Sequence, residues 1–274
     1  IVFLTPMIGI YGPAVGVVID GCPTGVKLTV ADFRQDLERR MTAQSSLVSS
    51  RKENDQVEIL SGVFEEKTTG TPICLMVRNS NAKSEHYEML KKAYRPSHAD
   101  FTYDQKYGFR DYRGGGRASA RETVARVMAG VVGKKVLSSQ FAVGSSQKGM
   151  EILGYVKQVG EIAANIDPMK VSLSQVEKSI VRCPDPKSSE MMVDLIKKVQ
   201  KKGDTVGGVV ECVIWNVPAG LGNPVFDKLK ATLAHAMMSL PATMGFEIGS
   251  GFGSLGMRGS EHNDIFVASC KKVV

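Results

Sequence analysis

The sequence predicts an α+β fold in which helices cover antiparallel-rich sheets. Apolar runs rich in β-branched residues, typical of buried strands, occur at residues 14–19, 57–64, 73–78 and 209–217. Segments with helix-start signals lie between and after them. Because strands and helices come in mixed order without strict alternation, a layered fold with helices packed on sheets is the natural class.

The first strand, turn and helix are predicted within residues 14–40. Gly21-Cys22-Pro23-Thr24-Gly25 forces a turn after the first apolar run. Thr29 and Asp32 have the spacing of a helix start, and the helix carries Phe33 on its apolar side. The runs at 57–64 and 73–78 are then predicted to pair around a connection rich in threonine and glycine.

Three later helices are predicted from their capping residues. Ser119 with Glu122, and Ser174 with Glu177, have the spacing of a capping box. A further helix is expected over residues 189–202, followed by a glycine suited to a helix C-terminus.

The second half of the chain repeats the pattern of the first. The run at 209–217 leads into Pro218-Ala219-Gly220 and then a helix over residues 226–240, which echoes residues 14–40. This echo suggests an internal duplication. His235, within the apolar part of that helix, is interpreted as a core histidine.

Composition narrows the class of partner. With 274 residues, 43% of them hydrophobic, the chain can bury a large core, and its net charge of +7 favours anionic partners. Aromatic residues make up 7% and are not interleaved with basic stretches, so phosphorylated metabolites come before nucleic acid. Five scattered cysteines without a CxxC pair argue against a disulfide framework or a metal site.

The uncharged start of the chain is interpreted as a buried strand and loop. Residues 1–19 approach the length of a membrane span, but prolines and glycines interrupt them. They also have no basic n-region of a signal peptide. We therefore expect no membrane partner and a cytoplasmic location.

The segment that carries most chemistry is polar, rich in glycine and basic. Residues 100–116 are expected to form a loop that ends in three consecutive glycines, and a helix opens at Ser119. Glycines allow close backbone approach, and a helix start presents N–H groups and a positive dipole end. Four arginines add charge suited to phosphate or carboxylate: Arg113, Arg117, Arg121 and Arg126. Taken alone, the glycines would fit an ordinary turn before a helix with a solvated basic face.

His98 is the candidate for proton transfer. It follows Pro96-Ser97 in this polar region, and an unperturbed imidazole titrates near neutral pH. A lone loop histidine is often structural, so composition alone leaves both roles open.

Long motifs identify the chain as similar to the chorismate synthase family. Residues 95–100 read RPSHAD, and residues 106–123 read KYGFRDYRGGGRASARET, which resembles the family signature closely. Further similar segments occur in family order at residues 13–23, 55–64, 218–222, 224–227 and 258–261.

The resemblance implies a fold, a reaction and partners. The expected fold is a chorismate synthase-like β-α-β sandwich with internal pseudo-symmetry, assembled as a homotetramer. The implied reaction is the 1,4-elimination of phosphate from 5-enolpyruvylshikimate 3-phosphate to chorismate, with reduced FMN as cofactor and NADPH as a potential reductant. We expect one domain over residues 1–274, incomplete at both ends.

The resemblance also implies residue roles. His98 corresponds to the histidine that protonates reduced flavin. Arg117, Ala118, Ser119 and Ala242 correspond to flavin-contacting positions. Arg40, Ser119 and Arg121 are expected to bind the anionic substrate, and Arg40 corresponds to a basic position that meets either this substrate or a reduced nicotinamide.

Two departures from the family pattern support an alternative, a catalytically impaired remnant. Tyr11 occupies the position of a family histidine that helps to expel phosphate. Late family motifs, including an Arg-His-Asp-Pro segment with a catalytic aspartate, do not occur before Val274. A basic nucleic-acid-binding module is a third hypothesis, which no recognised motif supports.

Overall fold

The structure is a computed structural model, and it describes most of the chain. The described residues are 3–7, 13–42, 45, 47, 55–79, 84–112, 118–140, 149–266, 268–269 and 272–273. Two compact units are present, Ile1–Pro218 and Ala219–Val274. The expectation of a single domain over the whole chain stays a prediction.

The first part of the larger unit is built on a four-stranded antiparallel sheet. Its part of the chain contains six strands: β1 (Phe3–Met7), β2 (Ala14–Asp20), β3 (Val57–Ser61), β4 (Val63–Phe64), β5 (Lys67–Thr68) and β6 (Ile73–Arg78). The sheet has the order β1-β2-β6-β3, and β4 pairs with β5 in a separate hairpin. The predicted buried strand at 14–19 is confirmed, since most of β2 is buried.

The predicted strand over 57–64 divides at Gly62. This glycine has a φ of 79°, and a Cβ there would lie 2.7 Å from the Cα of Ile73. Only glycine accommodates both restrictions. The chain therefore turns at Gly62, β3 alone pairs with β6, and β4 pairs with β5.

Three helices accompany this sheet: α1 (Arg34–Arg40), α2 (Asp100–Tyr107) and α3 (Thr123–Gln140). A 3-10 turn precedes α1, and Thr29 and Asp32 form the predicted capping box. Helix α3 packs against β2 and β6, and α1 packs against α3. This layer buries the main core, whose largest members include Ile19, Leu28, Phe33, Leu75 and Met128.

Two local predictions around α2 and α3 need correction. Residues 100–107 form a helix rather than a loop, with ring contact between Tyr103 and Tyr107 and a left-handed Gly108 at the end. Ser119 caps the turn before α3 as predicted. Glu122, however, accepts from Arg126 Nε at 2.9 Å instead of completing a capping box, because the i,i+4 arginine offers a charged donor.

The remainder of the larger unit is a second sheet covered by two helices. Strands β7 (Glu151–Val159), β8 (Ile162–Ala163) and β9 (Gly208–Trp215) have the order β8-β7-β9, all antiparallel. The helices are α4 (Leu173–Lys178) and α5 (Pro186–Gln200). Each begins earlier than predicted, since Ser172 with Gln175 and Asp185 supply the caps. Gly203 has the expected left-handed conformation after α5.

Strand β9 is less buried than its sequence predicts. Val210 is 72% exposed, although Val213 and Trp215 pack against buried residues of this sheet. Within the described residues β9 pairs only with β7, so it is an edge strand with less cover than a central one.

The smaller unit contains short strands and two helices: β10 (Gly222–Asn223), β11 (Asp227–Lys228), α6 (Leu229–Met238), α7 (Gly259–His262), β12 (Ala268–Ser269) and β13 (Lys272–Val273). None of its residues from 219 to 266 is buried. The interpretation of His235 as a core histidine is therefore wrong, because α6 has no buried residue in this structure.

The four-stranded and the three-stranded sheet are antiparallel, and helices pack against both, which agrees with the predicted α+β class. Over the residues that the structure describes, no helix combines the length and apolar character needed to cross a membrane.

Candidate active site

A carboxylate without exposed surface lies two residues before β3. The Asp55 side chain is 0% exposed, and each oxygen faces a different arginine. Arg121 Nη1 donates to Oδ1 at 2.7 Å, and Arg40 Nη1 donates to Oδ2 at 3.1 Å. A buried carboxylate needs such pairing because removal of an unpaired charge from water is costly. Asp55 thus joins two arginines that are far apart in the sequence.

Several elements bring these side chains together. Arg40 is the last residue of α1, and Arg121 lies in the 3-10 turn that leads into α3. Ser119 Oγ accepts a hydrogen bond from the Arg121 backbone N–H at 3.2 Å. Asn79, just after β6, accepts from Arg121 Nε at 3.2 Å. Arg40, Asp55, Asn79 and Arg121 are called the long-range cluster below.

The long-range cluster is suited to an anionic ligand. The long-range cluster contains two guanidinium groups that contact one fully buried carboxylate. Arginine presents a planar set of donors that matches carboxylate and phosphate oxygens. The structure therefore brings together Arg40, Ser119 and Arg121, the three residues predicted to bind substrate.

His98 belongs to a second group of charged side chains, formed by residues close in sequence. Asp100, the first residue of α2, is 3% exposed and accepts from Arg95 Nε and Nη2 at 2.8 and 2.9 Å. His98 Nδ1 lies 2.9 Å from Asp100 Oδ1, and Arg110 Nη1 lies 3.5 Å from the same oxygen. Arg95, His98, Asp100 and Arg110 are called the loop cluster below.

The loop cluster fixes the protonation of His98 Nδ1. Hydrogen bonds from Arg95 hold the pKa of Asp100 well below its usual range, against the opposite effect of burial, so Asp100 is ionised at neutral pH. Arg95 Nη2 also lies 3.2 Å from His98 Nδ1. Because the ionised carboxylate is the closer partner, we assign the proton to Nδ1, which donates to Asp100. In this tautomer Nε2 carries the lone pair of the ring.

The backbone before His98 is held in an unusual conformation. Ser97 has a φ of 56°, in the left-handed region that non-glycine residues seldom adopt. His98 N–H donates to Arg95 O at 3.3 Å, which closes the turn. Such conformations persist only where surrounding contacts impose them, and they concentrate at functional sites.

The remaining predicted site residues are placed as follows. Arg117, like Arg113 and the three glycines at 114–116, lies outside the described residues, and so does Tyr11. Ala118 is half-buried and immediately precedes Ser119. Ala242 lies in the smaller unit and is exposed, with a φ of 63°.

Sequence reasoning assigned no role to Asp55, Asn79, Arg95 or Asp100. Asp100 had a local signal, because an acidic residue two positions after a histidine can contact the ring. Asp55 and Asn79 had none, since their partner Arg121 is 66 and 42 residues away. Only the sheet register and the position of α3 bring them together.

Comparison with known proteins gives consistent matches over almost the whole chain. The family model described as chorismate synthase matches residues 9–273. The chain is 53% identical over 254 residues to a chorismate synthase of Trichodesmium erythraeum, covering 93% of this chain and 67% of that protein. It is 55% identical over 256 residues to one of Synechococcus elongatus, covering 93% and 69%.

A solved structure agrees with the fold. A crystal structure of chorismate synthase matches with a TM-score of 0.75 and 31% identity, covering 98% of this chain and 74% of that one. This match confirms the predicted fold class.

The α+β fold, the basic clusters and these matches define an enzyme of the lyase class that acts on a small molecule. The chain belongs to the chorismate synthase family, as its motifs predicted. Membership implies a flavin cofactor.

Proposed function

We propose that this chain eliminates phosphate from 5-enolpyruvylshikimate 3-phosphate to form chorismate, with reduced FMN as cofactor. Two observations support the proposal together: identity above 50% to curated chorismate synthases, and the pairing of Arg40 and Arg121 through buried Asp55. The second carries the argument for this chain, because the two arginines would form an anion site from its own residues.

The long-range cluster would bind the substrate. The substrate carries two carboxylates and a phosphate, so it needs several fixed positive groups. Arg40 and Arg121 would hold its anionic groups, and Ser119 would orient the turn that carries Arg121. Positive charge near the departing phosphate would stabilise the charge that develops as its C–O bond breaks.

The loop cluster would manage a proton. His98 would donate from Nε2 to the reduced flavin while Asp100 holds Nδ1. Asp100 would act through its ionised form, which fixes the orientation of the ring. Arg95 and Arg110 in turn hold Asp100 in place.

The residues present fit a flavin by the chemistry of their donors. FMN has a phosphate and a polar ring edge, and both accept hydrogen bonds from arginine, hydroxyl and backbone groups. Arg117, Ala118, Ser119 and Ala242 are the proposed contacts. When bound, reduced FMN would supply an electron transiently and recover it, so that the net reaction is redox-neutral.

The oligomeric state, the cellular location and the source of reducing equivalents belong to the same proposal. A homotetramer in the cytoplasm, with NADPH as a source of reducing equivalents, agrees with the family resemblance. The proposal includes no nucleic acid, metal or membrane partner.

The test is an anaerobic titration of this chain with reduced FMN, with and without the enolpyruvyl substrate, followed by measurement of chorismate. We expect flavin binding that the substrate enhances, and turnover. Flavin binding without turnover, or no binding, would contradict the proposal and favour an impaired remnant.

A matched pair of histidine variants makes the test specific. His98→Ala should abolish most turnover, whereas His235→Ala should not, because His235 is exposed on α6 in the smaller unit. Equal loss in both variants would show that the assay reports general damage rather than the proposed chemistry.

A further inference from the structure

Asp55 is the charged side chain that the proposed mechanism leaves without a direct task. It has 0% exposure, and both of its oxygens accept from arginines. Those arginines lie 15 and 66 residues away in the sequence, so a single carboxylate ties the end of α1 to the turn before α3.

The partners of the two arginines show that their geometry is controlled. Arg121 Nε donates to Asn79 Oδ1 at 3.2 Å while its Nη1 donates to Asp55. Arg40 Nε lies 3.4 Å from Thr123 Oγ1 while its Nη1 donates to Asp55. Each guanidinium therefore has at least one charged and one neutral contact, which restrain its orientation as well as its position.

A purely structural purpose explains this arrangement poorly. Burying an ion pair is often no more stabilising than apolar packing of the same volume. Apolar packing could join α1, β3 and α3, but it could not hold two guanidinium groups at a set separation. The arrangement is thus suited to presenting positive charge rather than to stabilising the core.

We propose that Asp55 is a positioning residue that sets Arg40 and Arg121 relative to each other for the anionic substrate. This inference rests on the proposed function and deepens it, since it says what controls the substrate-binding arginines. Asp55 acts through the arginines and has no contact of its own with the reacting atoms.

Two effects of Asp55 oppose each other, and their balance makes the inference testable. Its negative charge weakens the attraction of the cluster for an anion, so its removal alone would strengthen binding. Its two carboxylate oxygens hold the donor groups of Arg40 and Arg121 in place. In Asp55→Asn the amide N–H would face an N–H of one arginine and would displace that side chain. Because arginine binds carboxylate and phosphate through directed hydrogen bonds, we expect geometry to outweigh the gain in charge.

The test compares Asp55→Asn with the unsubstituted chain in steady-state kinetics at saturating reduced FMN. We expect the KM for the enolpyruvyl substrate to rise roughly tenfold to a hundredfold, the equivalent of one hydrogen bond to a charged group. The kcat should change much less. Asp32→Asn is the matched control, because Asp32 pairs with Lys135 at 2.7 Å and caps the turn before α1. It should lower stability without changing KM.

A double-substitution experiment separates positioning from a general structural role. In an Arg40→Gln, Arg121→Gln background, Asp55→Asn should raise KM no further, because the groups through which it acts are absent. A folded Asp55→Asn chain with unchanged or lower KM would overturn the inference. So would an equal rise in KM in both backgrounds.

If Asp55→Asn does not fold, Asn79→Ala provides the second test. It removes the neutral contact to Arg121 Nε, and KM should rise roughly twofold to tenfold. An unchanged KM would overturn the inference. If the unsubstituted chain forms no chorismate, the proposed function fails, and calorimetric substrate binding by the same variants decides the role of Asp55 separately.

Discussion

The loop cluster and the long-range cluster use the same chemical arrangement in different ways. Each contains an almost fully buried carboxylate that pairs with two arginines, Asp100 in one and Asp55 in the other. The loop cluster also contains His98 and lies within residues 95–110. The long-range cluster contains no histidine, and it spans residues 40–121.

The difference assigns different tasks to the two clusters. A local cluster with a histidine can exchange a proton, and its geometry depends on one turn and the start of α2. A cluster of arginines around a carboxylate offers charged donors, and its geometry depends on the packing of α1, β3 and α3. We infer that the loop cluster affects mainly the rate of the reaction and the long-range cluster mainly the affinity for substrate.

The largest expected effect concerns His98. His98→Ala should lower kcat by roughly a hundredfold to ten-thousandfold, the usual contribution of a positioned general acid or base. The measurement is chorismate formation with externally reduced FMN, which bypasses any reductase activity. The thermal midpoint should stay close to that of the unsubstituted chain, since His98 is outside the main core. Turnover near the unsubstituted level would contradict the role of the loop cluster.

The next effect concerns the free energy of unfolding, which depends on the pairing of the buried Asp55 carboxylate. Arg121→Met should lower the free energy of unfolding by about 3–5 kcal/mol, because it leaves a buried carboxylate without its shorter charged contact. Urea denaturation measures this change. Arg78→Met is the matched control, since Arg78 pairs with Glu58 at 2.7 Å on the exposed side of the sheet. Arg78→Met should change the free energy of unfolding little. An equal loss in both variants would show that the burial of an ion pair does not determine its contribution to stability.

The two clusters also show which features the sequence could predict and which it could not. The strand at 14–19, the helix start at Thr29 and the cap at Ser119 depend on local patterns, and all three are confirmed. The motif around His98 singled out the histidine of the loop cluster, but not its partners Arg95 and Asp100. Asp55 has no local pattern, because its contacts with Arg40 and Arg121 form only after α1, β3 and α3 have packed.

Failures of prediction have the same physical origin. The run at 57–64 has strand character throughout, but the chain turns at Gly62, whose backbone lies close to Ile73 and has a positive φ. His235 has apolar neighbours in sequence, yet burial depends on what covers α6. Local pattern therefore predicts elements better than it predicts their surroundings.

A smaller effect is expected from the pH dependence of Asp100. Its pKa is lower in the folded chain than in the unfolded chain, so its stabilising contribution is complete above the unfolded value of about 4. The contribution is lost as pH falls through the folded pKa. The stability difference between the unsubstituted chain and Asp100→Asn should thus be constant near neutral pH and shrink in acid. Unfolding midpoints over a pH series measure it, and a difference that grew in acid would contradict the assignment.

The smallest effect is expected for a surface ion pair between α1 and α3. Lys134 Nζ on α3 lies 2.8 Å from Asp36 Oδ2 on α1, with the lysine half exposed. Lys134→Gln should cost about 1 kcal/mol or less and should matter even less at high salt. Urea denaturation at low and high salt measures this change. A loss of unfolding free energy as large as that for Arg121→Met would contradict the expected difference between surface and buried ion pairs.

The division of tasks between the clusters is tested most directly by calorimetric binding of the enolpyruvyl substrate to three forms of the chain. These are the unsubstituted chain, Arg40→Gln and His98→Gln, each with oxidised FMN, which cannot supply the electron that the proposed reaction needs, so that the substrate binds without being consumed. The account predicts weaker substrate binding by Arg40→Gln and nearly unchanged binding by His98→Gln. Unchanged binding by Arg40→Gln, or an equal loss in both variants, would contradict it.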